Sequence, residues 1–374
     1  MRNTRLADPK DQEQLINLIK GKDGWDVPPE RVADIAFVRK SGTDYESRRH
    51  NLLHSIIDGP LDTDKIHYLQ FDSIHTGNPV GSNFDSEQLI DSLSFTETFD
   101  GLAVSDKGLA AVESFLYSRY RMHIDVYWHH TVRGVRKMIA RAIDWHIRVP
   151  RAGTGVRQAR VMKAATGLTD RNFLEWLAAE FLDGEPASQI IGHLIRVERR
   201  KGSDFVTDVH PVRKLFKRFR TYTSVERGDP ESKEIFDLLK PGGGATIGVR
   251  DYERHVAKTL SDLVSDKIAL WELIIDIPPS MKEEPAISVY CTKAQPPAQS
   301  HQPLTLASAV AREIVEDFGR NLKKIRFYCS PRVRELLRRH EGELNANIKC
   351  AINDAIKEAT RKVQKKGAGR RAKK

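Results

Sequence analysis

The sequence predicts a mainly α-helical protein that carries a small mixed α and β lobe toward its C-terminal end. Three observations lead there. Apolar residues recur at helical spacing through much of the first two thirds of the chain, whereas after about residue 240 short apolar runs alternate with proline- and glycine-rich joints. No apolar run approaches the roughly 20 residues that a membrane-crossing helix needs, and the longest, Ile268 to Ile277, is interrupted by Glu272. A 374-residue chain with 40% hydrophobic and 30% charged residues has the proportions of a globular protein able to bury a substantial core.

Leu15, Ile16, Leu18 and Ile19 open an apolar stripe that ends at Gly21–Gly24, and Pro28-Pro29 introduces a second helix near Glu30. Ser94–Ser105, with short apolar stretches around Asp100-Gly101, reads as a small hairpin. A long helical block starts at Asp106, a suitable N-cap, and runs through Leu109, Val112, Phe115 and Leu116. It continues past Asp125 into Val132, Val135, Ile139 and Ile143. Pro241 and Gly242–Gly244 form a loop, a helix follows from about Asp251, and Ala269–Ile277 reads as a buried strand stopped by Pro278-Pro279. Ala286–Cys291 and Ile325–Cys329 are further short strands, with a helix near Leu306–Phe318 between them. Beyond Pro331, Ile348, Ile352 and Ile356 recur every four residues on a final amphipathic helix. These boundaries divide the chain into a helical domain over 1–240, a lobe over 241–335, a helix over 336–360 and a basic tail over 361–374.

The net charge of +10 is concentrated in that tail, where Arg361 to Lys374 holds eight Lys or Arg residues and no acid. The tail reads as a disordered, solvated terminus that could still attract nucleic acid weakly and in a salt-dependent way. The N-terminal residues show no apolar segment after their basic residues, so the expectation is a cytoplasmic protein without a secretory signal. Cys291, Cys329 and Cys350 are too far apart in sequence for a C-x-x-C pair, which excludes disulfide scaffolds and zinc ribbons.

Two rows of polar residues carry potential chemistry. If Leu61–Asp72 is helical, Asp64, Tyr68 and Asp72 fall at successive four-residue steps on one face, with Lys65 alongside. Arg119, His123 and Tyr127 repeat the same spacing, with His129 and His130 close behind. Arginine offers a rigid fork suited to phosphate oxygens, and tyrosine and histidine supply further hydrogen bonds. Spacing alone favours a solvated helix face for the first row, and it leaves His123 as readily a satisfied, partly buried histidine as a catalytic one. His50 and His54 have i, i+4 spacing, but the run HNLLH lacks the glutamate of a zinc-protease motif. Gly242–Gly248 lacks the Gly-Lys-Ser/Thr of a phosphate loop and reads as a turn.

The stretch Asp62-Thr-Asp-Lys-Ile-His-Tyr-Leu, followed by Asp72-Ser-Ile-His-Thr-Gly, resembles a signature of HD-domain phosphohydrolases. The run Ala111–His130 resembles that family's next signature. Leu168-Thr-Asp-Arg-Asn-Phe-Leu-Glu, Arg213-Lys-Leu-Phe-Lys217 and Val289-Tyr-Cys-Thr-Lys293 extend the resemblance in order over roughly residues 50 to 330. The nearest branch is that of the SAM- and HD-domain dNTP triphosphohydrolase.

This resemblance implies an HD-like helical core and a divalent metal, manganese, magnesium, iron or zinc, with Asp64 as the last ligand of an H…HD…D site. It implies that Lys65, Arg119 and Tyr127 hold the triphosphate or sugar of a deoxynucleotide, that Tyr68 and Asp72 lie around the sugar, and that His123 stands beside the scissile phosphate. In the family a metal-activated water attacks the α-phosphorus and intact triphosphate leaves. Lys107, Arg213 and Lys217 match basic positions that contact an activating nucleotide, although Ala111 and Asp125 replace an Asn and an Arg there. The LFKRF stretch also reads simply as an amphipathic helix with basic residues in water.

One departure governs the functional expectation. His-Asp occurs nowhere in the chain, and three of the four expected ligands have no counterpart. The expectation is therefore an incomplete HD phosphohydrolase, active only when a partner supplies the missing H…HD half, in a chain that forms a homo-oligomer or a hetero-oligomer with an H…HD-containing polypeptide. The alternatives are a catalytically inactive, nucleotide-binding regulatory subunit and, from the basic tail, a nucleic-acid-binding accessory protein.

Overall fold

A computed structural model of the chain describes residues 28–148, 154–180, 186–199, 206–211, 214–224, 230–240, 248–278, 287–292, 300–339 and 341–371. The apolar stripe expected at residues 15–19, the turn at Gly242–Gly244 and Arg213 lie outside the described residues.

The described helices in chain order are α1 (Pro29–Phe37), α2 (Tyr45–Ile57), α3 (Thr63–Thr76), α4 (Ser86–Asp91), α5 (Leu109–Met122), α6 (His130–Arg148), α7 (Thr154–Gly167), α8 (Asp170–Glu180), α9 (Pro186–Gly192), α10 (Pro230–Leu239), α11 (Val249–Val264), α12 (Leu304–Ala307), α13 (Ala309–Asn321), α14 (Pro331–Arg339) and α15 (Glu341–Arg371). The strands are β1 (Leu93–Phe95), β2 (Leu102–Ser105), β3 (Ile195–Arg199), β4 (Val206–Pro211), β5 (Lys217–Thr223), β6 (Leu273–Asp276), β7 (Ser288–Tyr290), β8 (His301–Pro303) and β9 (Lys324–Cys329). The fold is mainly α with small sheets, as the periodicity predicts. No described helix is long and apolar enough to cross a membrane.

The chain folds as two units, each discontinuous in sequence: residues 1–129 with 281–322, and residues 130–280 with 323–374. This replaces the contiguous division at residue 240. Composition follows the chain, whereas the lobe's strands are shared out: β7 pairs in parallel with β2 of the early hairpin, and β9 pairs with β5 and β6.

In the first unit, β1 and β2 form the expected hairpin, and β7 and β8 extend it into a four-stranded sheet. Leu69, Leu89, Val104, Phe115, Met122, Val289 and Ala311 form its core. Helix α3 starts because Asp62 accepts a hydrogen bond from the Lys65 amide at 2.7 Å, satisfying an orphan N–H. It stops at Gly77, whose φ of 66° is the left-handed conformation that glycine adopts without steric cost. Gly81 fits where α3 and α5 approach: an added Cβ would stand 2.6 Å from the Leu69 carbonyl oxygen.

The block expected as one helix from Asp106 to Ile143 is broken. A 3₁₀ turn at Asp106–Gly108 precedes α5, and a π-helical turn at His123–Tyr127 ends it before α6 begins. Single-turn π segments insert an extra residue and cluster at functional sites. The apolar pattern continues through this one-residue slip, which is why periodicity alone misses it.

In the second unit, β9 lies between β5 and β6, antiparallel to both. Ile325, Phe327 and Cys329 face one core with Tyr222, Leu260 and Ile352, while Tyr328 faces another with Met138 and Ile190. The expected helix through LFKRF is a correction: Lys217 begins strand β5. Phe219 packs edge-on to Phe327, so tertiary pairing overrides local helical patterning. Ile348, Ile352 and Ile356 form the buried stripe of α15 as expected, but that helix continues through Arg371 into the stretch read as a disordered tail. Its Lys, Arg, Gln and Ala content favours helix, and cations suit a helix C-terminus.

The second unit also buries charge in pairs. Arg133 donates to both oxygens of Asp276 at 2.8 and 2.5 Å, and Arg141 donates to both of Glu253 at 2.6 Å. Glu272 accepts from Ser330, from Arg332 and from the Ala269 amide. That last bond shapes a 3₁₀ turn at Leu270–Glu272, which shortens the strand expected from Ala269.

Candidate functional site

Most of the sequence-derived site residues lie in the first unit, on α3, the end of α5 and the π-helical turn. Helix α3 carries Asp64, Tyr68 and Asp72 on successive turns, as its spacing predicts. Tyr127 donates a hydrogen bond from its phenol to Asp72 Oδ2 at 2.8 Å, linking two rows that are 55 residues apart in sequence. The Tyr68 and Tyr127 rings meet edge to face at 5.8 Å, and His123 packs edge to face on Tyr127 at 5.1 Å. His123 Nδ1 lies 2.9 Å from the Arg119 carbonyl oxygen. A carbonyl only accepts, so Nδ1 carries the proton in that bond. Arg119, through its main-chain carbonyl, His123, Tyr127, Asp72 and Tyr68 therefore form one connected cluster.

Burial, followed by the hydrogen bond to Asp72 and that carboxylate's charge, raises the Tyr127 phenol far above its ordinary value of 10.0. Tyr127 consequently remains a neutral donor at physiological pH. Arg119 is 8% exposed, and its guanidinium carbon lies 5.5 Å from the centre of the Phe318 ring. On the neighbouring position Tyr120 donates to the Asp317 carboxylate. Sequence reasoning singled out neither Phe318 nor Asp317, because they lie nearly 200 positions away on α13 and no local pattern points to them.

Two residues stand differently. Lys65 Nζ pairs with Asp62 Oδ2 at 2.6 Å and donates to the Gly59 carbonyl at 2.8 Å, so two of its three N–H donors serve the N-terminus of α3. Asp64 is exposed in the first turn of α3. Lys107 is exposed in the first unit and Lys217 is exposed in the second. The activator positions are thus divided between the two units, and the structure describes nothing of Arg213.

Among the described residues the donor set does not fit a metal centre. Among the described residues no group of three or more His, Cys, Asp or Glu side chains could hold an ion. His50 Nε2 and His54 Nδ1 donate at 2.7 Å to the carbonyls of Val38 and Ile35, so this pair ties α2 to the α1 segment. Asp64 alone offers a single carboxylate, too few ligands for a catalytic ion. Cys329 offers no nucleophile, since burial pushes its thiol up to about 12.

Residues 84–169 match the family described as HD associated region, which supports a relationship with the HD-domain superfamily. An uncharacterized protein of Methanocaldococcus jannaschii is 39% identical over 97 residues, covering 25% of this chain and 21% of that protein. The uncharacterized protein YwfO of Bacillus subtilis is 32% identical over 89 residues, covering 24% of this chain and 20% of that protein. The matched part thus spans about a fifth of the length of these curated relatives. The crystal structure of a hypothetical protein from Aquifex aeolicus superposes with a TM-score of 0.52 at 18% identity, over 88% of this chain and 69% of that one. At that identity the likeness concerns the fold.

Proposed function

We propose that this chain is a phosphohydrolase-like protein of the HD type that binds deoxynucleoside triphosphates, and that hydrolyses them only when an H…HD-containing polypeptide supplies the ligands missing here. The observation that carries this reading is the connected cluster Arg119–His123–Tyr127–Asp72. It juxtaposes a guanidinium for phosphate oxygens, a histidine with a defined tautomer, and a carboxylate for a sugar hydroxyl. Tyr127 donates to Asp72 Oδ2 and so fixes the orientation of the carboxylate. The HD associated match over residues 84–169, which includes Arg119, His123 and Tyr127, supports the superfamily. The deoxynucleotide and the triphosphate are inferences from the resemblance of residues 62–77 and 111–130.

The absence of a metal-binding group among the described residues favours a second reading, a catalytically inactive nucleotide-binding subunit that regulates an active homologue. Calorimetric titration with the four deoxynucleoside triphosphates, combined with product analysis, separates the readings. Both predict binding that weakens in Arg119→Ala by about 1.5–3 kcal/mol, the worth of a charged hydrogen bond. Triphosphate release after addition of an H…HD polypeptide supports the first, and inactivity in every combination supports the second. Unchanged affinity in Arg119→Ala and Tyr127→Phe removes the site itself.

A further inference from the structure

Helix α13 brings two residues of distant sequence to the end of α5. Ser308 caps it by accepting from the Ala311 amide at 2.9 Å, and Ala311 and Ile314 anchor it in the core of the first unit. The next turn presents Asp317 and Phe318. Asp317 accepts the Tyr120 hydroxyl, and the half-buried Phe318 ring faces three residues of α5 and its π-helical turn. Its centroid lies 5.5 Å from the Arg119 guanidinium carbon, 5.0 Å from the His123 ring and 6.2 Å from the Tyr120 ring.

Arginine's long side chain loses much rotamer freedom when it is held, so a site that needs its fork in one place benefits from a rigid surface against it. An aromatic face supplies that surface, because its negative quadrupole attracts the cation without occupying any N–H donor. The Phe318 ring also packs against the His123 and Tyr120 rings, so one aromatic side chain touches both the cation and the imidazole. From this geometry we infer that Phe318 is a positioning residue, with Asp317 and Tyr120 as its latch, which orders the Arg119 guanidinium and the His123 ring for an anionic, phosphate-bearing ligand. The inference rests on the proposed binding site and adds to it a contribution from the C-terminal part of the chain.

The test uses the full chain, inorganic triphosphate as the probe and three variants, Phe318→Leu, Phe318→Tyr and Asp317→Ala. Phe318→Leu is expected to weaken triphosphate binding about tenfold, Asp317→Ala about threefold, and Phe318→Tyr less than twofold, because tyrosine keeps the π face. In Arg119→Ala the further change Phe318→Leu is expected to add almost nothing. Independently of any ligand, the NMR order parameter of the Arg119 Nε–Hε group should fall in Phe318→Leu and stay at its original value in Phe318→Tyr. Equal losses for leucine and tyrosine, or an unchanged order parameter in Phe318→Leu, would overturn the inference. If the unmodified chain binds no triphosphate, the proposed function falls, and the order parameters alone decide whether Phe318 positions Arg119.

Discussion

At Tyr127 a phenol is held neutral by burial and by the carboxylate it donates to, and both depend on α3 and the π-helical turn meeting in space. Tyr127→Phe keeps the ring packing on Tyr68 and His123 but removes the donor. It is expected to cost about 1.5 kcal/mol in urea unfolding, the lower end for a hydrogen bond to a charged group. Because the folded value is raised above the ordinary 10.0, the stabilisation is fully present below pH 10 and is lost only as pH rises through the folded value. A difference absorbance titration of the protein against Tyr127→Phe should therefore contain no phenol ionising below pH 10; a transition near or below that point would contradict the geometry. The rows containing Tyr68, Asp72, Arg119, His123 and Tyr127 are legible as four-residue ladders. Their union is not, because periodicity describes one helix at a time.

Elements show where local signals suffice and where packing decides. The N-cap Asp62 and the left-handed Gly77 bound α3 where sequence rules place such residues. Gly81 obeys a tertiary rule instead, since it lies against the backbone of a different helix. Gly81→Ala should destabilise by ~1–3 kcal/mol through overpacking against the Leu69 carbonyl, a shift in denaturant midpoint with unchanged slope.

The turn at Leu270–Glu272 depends on a buried carboxylate. Burial opposes its ionisation, but Arg332, the Ala269 amide and Ser330 outweigh that and hold it below the ordinary 4.5. Its contribution is thus present above pH 4.5 and disappears as pH falls through the folded value. Glu272→Gln is expected to cost about 2 kcal/mol at pH 7, and the gap from the unmodified protein should close in acid unfolding experiments at lower pH. A gap independent of pH would assign the loss to packing.

At the scale of the molecule, charge and core are separable. The buried stripe of α15 includes Ala359 and Thr360, whereas Arg361 and Lys362 are exposed and begin the eight-cation stretch. Deleting residues 361–374 lowers the net charge from +10 to +2 and should leave Tm within about 2 °C, since no buried apolar side chain is described beyond Ala359. The same deletion should abolish salt-dependent nonspecific binding to nucleic acid, measured as the slope of log affinity against log salt. Retention of the same slope would locate the basic surface on the folded body.

The amino-acid sequence by itself determined the mainly helical class, the hairpin at residues 94–105, short strands within 286–291 and 325–329, the isoleucine stripe of the last helix and two ladders of polar residues. All of these are local: each is written in the spacing of neighbours along one chain segment. Tertiary structure alone decided that β7 joins the early hairpin and β9 the later strands, that LFKRF enters a strand, that His50 and His54 bind carbonyls, and that Phe318 faces Arg119. Those outcomes depend on which apolar faces and unpaired backbone groups find one another across the fold, a competition among distant segments that no single window of sequence contains.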